Sequence, residues 1–237
     1  MLTKLGVFYL LFSLPFSINA AFYGLEDIFS IRELKLSLGY PIDSLLNFTE
    51  LVSKYGYRVQ EHTVTTEDGY ILKIFRLHGK NCRQPLRQPP VLLMHGLLMT
   101  SDLWLDSGPN AGLAYLIADA CYDLWVGNIR GNYYGKSHKK LNPETDSDFW
   151  EFTLTEVGHF DMPAMIDYIL IHTKNEFINY IGYSQGGSIY FIMCSERPNY
   201  CDKTRVAIML APGSRLKNVD STILRYVGPR NLMAYSP

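Results

Sequence analysis

Histidine is scarce in this chain and stops early: six are present, the last at position 172 of 237. Net charge is scarcer still. Against 22 lysines and arginines stand 23 acidic residues, a formal charge of −1, so no broad attraction to nucleic acid or to an anionic membrane is implied. Only four cysteines occur, Cys82, Cys121, Cys194 and Cys201, and their spacing is not that of a zinc site. No internal repeat and no low-complexity stretch divides the chain, which suits one domain, or one domain with an insertion. Beyond its first residues, nothing approaches the roughly 20 apolar positions that a membrane span needs.

What is present belongs to a globular protein: 47% of residues are hydrophobic and 14% aromatic, ample for a core. Residues 1–20 stand apart. Lys4 supplies a positive start, Leu5 to Phe16 an apolar run broken by Pro15, and Ala20-Ala21 a small-residue cleavage site, the pattern of a secretory signal peptide. Secretory entry gives meaning to Asn47-Phe48-Thr49, an N-glycosylation sequon expected to carry sugar on Asn47. In an oxidising compartment the four cysteines have three possible pairings; Cys194 and Cys201 are near enough to staple a helix end to the next strand, with buried free thiols as the competing reading.

The hydrophobic pattern predicts a hairpin first, Arg58 to Thr65 and Tyr70 to Leu77 about a Glu67-Asp68-Gly69 turn. A proline-rich loop leads to a short apolar strand, Val91 to Met94. Helical spacing then covers Ala111 to Cys121, and a strand covers Asp123 to Val126. The clearest helix is Met162 to His172, with Asp161 and Pro163 as its start signals. Phe177 to Ile181 reads as a strand, Ser188 to Cys194 as a short helix and Thr204 to Leu210 as a buried-type strand. Strands alternating with helices predict an α/β fold with a parallel sheet covered on both faces.

Between the Phe177 strand and its helix lies Gly182-Tyr183-Ser184-Gln185-Gly186. A G-x-S-x-G arises by chance in about one chain in ten of this length, so the flanking strand and helix carry the reading. In that context the motif is a nucleophile elbow: the tight turn lifts the Ser184 oxygen clear of the sheet. A serine nucleophile also needs two backbone N–H groups where negative charge develops. Gln185, directly after the serine, supplies one; Leu97, in the loop Met94-His95-Gly96-Leu97-Leu98, supplies the other. His95 is then structural. All six histidines precede Ser184, whereas this type of hydrolase runs serine, acid, histidine along the chain. Asp202 and Asp220 follow the serine with no histidine to orient, so the triad Asp and His are expected to be absent.

These motifs together resemble the acid lipases, secreted and lysosomal α/β-hydrolases, over about residues 45 to 215. The resemblance rests on Val64 to Leu72, Pro90 to Leu98, Gly127-Asn128-Ile129-Arg130-Gly131-Asn132, Phe149-Trp150-Glu151-Phe152, Asp161-Met162-Pro163-Ala164, Ile166-Asp167-Tyr168 and the elbow through Gly187. Tyr183 stands where the family usually has histidine. The resemblance implies an α/β-hydrolase fold, neutral lipid ester substrates met at a lipid–water interface, Ser184 as nucleophile, and no metal or organic cofactor. It also implies a domain order: signal peptide 1–20, partial core 21–213, start of a cap 214–237, with the last two core strands missing and the product extracellular or lysosomal. A chain so shortened is expected to be poorly soluble and hydrolytically weak. The alternatives are a catalytically inactive lipid-binding or partner-binding remnant, or another serine acyl-transfer enzyme on the same fold.

Overall fold

The computed structural model describes residues 35–82 and 88–214. The leader expected at 1–20, and all but the first residue of the cap expected at 214–237, lie outside the described residues. Two compact units divide the chain at Asn47 and Phe48. Of the first, the described part includes a single 3-10 turn at Ile42–Leu45 and ends at an exposed Asn47.

The second unit is a six-stranded sheet in the order β1-β2-β4-β3-β5-β6. Its strands are β1 (Arg58–Thr65), β2 (Ile71–His78), β3 (Val91–Met94), β4 (Leu124–Val126), β5 (Ile178–Tyr183) and β6 (Thr204–Leu210). Helices α1 (Phe48–Lys54), α2 (Leu113–Asp119), α3 (Leu154–Glu156), α4 (Met162–Thr173), α5 (Gln185–Glu196) and α6 (Pro198–Cys201) are interleaved with the strands. The sheet is mixed: β4, β3, β5 and β6 are parallel, as the alternating strands and helices predict, and the predicted hairpin of β1 and β2 joins them antiparallel at one side. Residues 66 to 69 explain why. Thr66 and Gly69 close a tight turn, with Gly69 at φ +106, and a turn that short can join only antiparallel neighbours.

β3 and β4 are buried at every position. Strands covered on both faces read as continuous apolar runs, which is why Val91 to Met94 and Leu124 to Val126 show no alternation. β6 differs from its expected buried type, since most of its residues are exposed and, among the described residues, only β5 pairs with it. The chain leaves β3 toward β4 and leaves β5 toward β6, on opposite sides. That reversal makes the carboxyl ends of β3 and β5 a switch point, where a doubly wound sheet opens a crevice.

The helix through 162 starts earlier than Asp161 and Pro163 suggested. Thr153 and Glu156 form a capping box at α3, and a π-helical stretch, Val157–Asp161, runs straight into α4. Asp161 is therefore inside a continuous helix, with φ −68 and ψ −46, and is fully buried. α5 also begins earlier than expected, at Gln185 directly after the elbow serine. All four cysteines are paired, Cys82 with Cys121 and Cys194 with Cys201, which removes the free-thiol alternative. No described helix is long and apolar enough to cross a membrane.

Candidate active site

At the carboxyl end of β5 the backbone must turn from strand to helix within one residue. Ser184 makes that turn at φ 49, ψ −111. For a residue with a Cβ this is a strained conformation, and it persists only because its surroundings enforce it. Glycines on either side allow the close approach. A Cβ on Gly182 would lie 2.7 Å from the Gly186 carbonyl carbon, and one on Gly186 would lie 2.5 Å from the Met94 oxygen of β3. The turn is tied on two further sides. The Ser184 N–H donates to the Leu210 oxygen at 2.8 Å, and the buried Tyr180 hydroxyl donates to the Gly186 oxygen at 2.6 Å.

β3 runs beside β5 and delivers the second loop to the same place. Met94 pairs with Gly182, and a Cβ on Gly96 would stand 3.3 Å from the Ser184 Cβ and 3.0 Å from the Tyr183 ring. Tyr183, the departure from the usual elbow histidine, thus packs under the turn that precedes Leu97. Leu98 continues that turn in the left-handed region, at φ 59. Gln185 is the first residue of α5, so its N–H has no acceptor within the helix. Both predicted donors, Leu97 and Gln185, line one cavity of about 610 Å³. Its remaining wall is mostly apolar, including Leu98, Ile129, Tyr133, Trp150 and Phe152.

Arg130 is the charged residue on that wall, and it is committed elsewhere. Its side chain is 1% exposed, and it donates to Asp161 through Nε at 2.7 Å and to Asp68 through Nη1 at 2.6 Å. Its own backbone N–H also donates to Asp161, at 2.9 Å, and its guanidinium lies 3.9 Å from the Tyr70 ring centroid. Burial pushes the Asp161 carboxyl up to about 6 in spite of the guanidinium. Asp68 is less buried; burial opposes its charge, yet the hydrogen bonds from Arg130 and Thr66 hold its carboxyl below the usual range. In the sequence these residues stand only as separate motif positions. Local spacing carries no sign of this knot, because its three members come from a hairpin, a loop and a helix.

The six histidines are all placed, and each has a partner other than Ser184. His62 meets the Tyr168 hydroxyl, His78 Gln60, His138 the Asp68 oxygen, His159 Glu196 and His172 the Tyr168 oxygen. His95 is 2% exposed, bonds the Gly96 oxygen at 2.8 Å, and is pushed down to about 4 by burial. Its structural reading agrees with those contacts. Among the described residues, no group of three or more histidine, cysteine or acidic side chains is arranged to hold a metal.

Comparison with known proteins gives the geometry a context. Residues 89–210 match the family model described as alpha/beta hydrolase fold, and residues 48–108 match a partial alpha/beta-hydrolase lipase region. "Lipase 1" of Drosophila melanogaster is 45% identical over 178 residues, covering 75% of this chain and 39% of the relative. "Gastric triacylglycerol lipase" of Rattus norvegicus is 37% identical over 209 residues, covering 87% of this chain and 51% of the relative. "Lipase member K" of Homo sapiens is 39% identical over 178 residues, with 74% and 44% covered. The chain thus spans about half, or less, of the length of these curated relatives.

Proposed function

The chain belongs to the α/β-hydrolase fold family, with a gastric triacylglycerol lipase and lipase member K among its relatives, and from that premise we propose that it carries the nucleophile side of a serine ester hydrolase for neutral lipid esters. The observation that carries the proposal is the strained Ser184, held at positive φ against the Gly96 loop, with its chain neighbour Gln185 on the wall of a mostly apolar cavity. In this reading Ser184 Oγ attacks the ester carbonyl carbon, and the N–H groups of Leu97 and Gln185 receive the charge on the carbonyl oxygen. Collapse of that intermediate leaves the acyl group on Ser184 and releases the alcohol, which takes up the proton lost from Oγ. Water then frees the fatty acid.

An uncharged acyl chain suits the cavity. Leu98, Tyr133, Trp150 and Phe152 offer it apolar contact, and the Arg130 cation is neutralised by Asp68 and Asp161. Acylglycerols and sterol esters fit that description equally. The secretory pathway, ending outside the cell or in the lysosome, is the location that the leader, the sequon at Asn47 and the two disulfides support.

A second reading has its own observation. Among the described residues no histidine bonds Ser184, which leaves the proposed nucleophile without a histidine base there. That combination also fits a lipid-binding protein that does not turn over. Tributyrin cleavage, together with mass-spectrometric mapping of the adduct formed by an alkyl p-nitrophenyl phosphonate, separates the two. The hydrolase reading expects the adduct on Ser184, and loss of both signals in Ser184→Ala. Adduct on another residue, or cleavage that survives Ser184→Ala, sinks it. Emulsion binding that is unchanged in Ser184→Ala, with no cleavage in either protein, leaves the binding reading.

A further inference from the structure

Behind the Gly96 turn lies a chain of hydrogen bonds in which each proton's position is forced by the next. Asn128 is completely buried; its Oδ1 accepts from the Ser101 N–H at 2.9 Å and its Nδ2 donates to the Lys73 oxygen at 3.1 Å. Backbone groups cannot exchange roles, so this amide has a single orientation. Asn132 is pinned in the same way. Its Oδ1 accepts from the Tyr134 N–H at 3.0 Å, which turns Nδ2 toward Asn128 Oδ1 at 2.9 Å and His95 Nε2 at 3.1 Å. The Ile129 N–H also points at His95 Nε2, at 3.4 Å. Two donors facing one ring nitrogen require that nitrogen to be an acceptor. The proton of the neutral imidazole is then on Nδ1, where it donates to the Gly96 oxygen at 2.8 Å.

The Gly96 carbonyl belongs to the same peptide plane as the Leu97 N–H. Fixing one end of that plane fixes the direction of the other. The carbonyl also accepts from the Met99 N–H at 3.3 Å, so the plane is held from two sides while a Cβ on Gly96 would stand only 3.3 Å from the Ser184 Cβ. We infer that His95, set as its Nδ1–H tautomer by Asn132 and the Ile129 N–H, is a positioning residue that aims the Leu97 N–H at the oxyanion. The inference rests on the proposal that Leu97 is an oxyanion donor. The neutral ring is favoured further by burial, which holds His95 down at about 4.

The first test uses the full chain, labelled with nitrogen-15 histidine, in long-range proton–nitrogen NMR. His95 is expected as the pure Nδ1–H tautomer with no titration between pH 5 and 8; an Nε2–H tautomer overturns the inference. The second test compares His95→Asn, whose amide can still donate to the Gly96 oxygen, with His95→Leu, which cannot. The Leu97 amide signal is expected near its original position in His95→Asn and displaced in His95→Leu, with Leu92 and Tyr180 in the sheet unmoved in both. Phosphonylation of Ser184 is expected to fall on the order of tenfold further in His95→Leu than in His95→Asn, a fraction of the loss caused by deleting an oxyanion donor outright. Identical Leu97 signals in the two variants overturn the positioning role. If the unaltered chain takes no phosphonate, the hydrolase reading fails, and the tautomer and the Leu97 signal still decide this one. Should His95→Leu not fold, Asn132→Ala removes the side-chain donor to Nε2 and is read by the same signals, with a mixed tautomer and a displaced Leu97 amide expected and an unchanged pair refuting.

Discussion

Replacing Arg130 with methionine should damage the protein in a way that depends on pH. The guanidinium satisfies Asp161, which is fully buried, and Asp68, whose side chain is 26% exposed, with contacts as short as 2.6 Å to each. Methionine fills much of the same volume and removes the charge. Asp161 would keep the backbone N–H of residue 130, at 2.9 Å, and lose its side-chain donors. Breaking one side of a buried ion pair costs about 3–5 kcal/mol when the other charge remains. Asp161 can relieve part of that cost by protonating, and this sets the sign. Its carboxyl already lies up at about 6 with the guanidinium present, and without it must climb further. A carboxyl whose folded pKa exceeds its unfolded value binds an extra proton in the folded state, so its contribution to stability falls as pH rises between the two values. In wild type that decline ends near pH 6; in Arg130→Met it continues above. The stability gap between the two proteins should therefore widen from pH 6 to pH 8, by at most about 1.4 kcal/mol per pH unit. Urea unfolding at pH 5, 6, 7 and 8, read as midpoints at constant slope, measures the gap directly. Adding Asp161→Asn to Arg130→Met should remove most of the pH dependence. A gap below about 1 kcal/mol at pH 8, or one equal at every pH, would refute the reasoning that Asp161 depends on Arg130 for its charge.

The two disulfides should contribute unequally. Closing a 39-residue separation between Cys82 and Cys121 restricts the unfolded chain by about 4 kcal/mol, against about 2 kcal/mol for the separation of 7 between Cys194 and Cys201; paired alanine replacements compared by thermal melting check the order, and the reverse order would show that native packing outweighs chain entropy. Gly186→Ala should cost about 1–3 kcal/mol, because its methyl would meet the Met94 oxygen at 2.5 Å and force β3 from α5. The same variant should take the phosphonate more slowly at Ser184, and an unchanged melting point with an unchanged labelling rate would show that the turn relaxes freely.

Legibility in the sequence followed the range of the interaction that decides each feature. The elbow was readable because its physics is local: a serine forced to positive φ needs small neighbours, and Gly182 and Gly186 stand within two residues of it. The hairpin turn at Asp68-Gly69 and the buried runs of β3 and β4 were readable for the same reason. Asp161 shows where local reasoning fails. An acidic residue two positions before a proline is a helix-start pattern, and Asp161 fits it. In the folded chain the start is made by Thr153 and Glu156, and Asp161 is instead the buried anion of Arg130, 31 positions away in sequence. Asn128 and Asn132 were visible as letters of one loop, yet their function depends on Lys73, Ser101 and His95, which the sheet brings to them from three other segments. A polar residue in a glycine-rich loop reads as solvated until the strand beside it is known. Here β3 lies between β4 and β5, so the loop after β4 has to pass under the turn after β3, and the polar groups buried there have to satisfy one another. The requirement that made this loop illegible also gives it one arrangement of protons, and on that arrangement rests the proposal that His95 aims the Leu97 N–H.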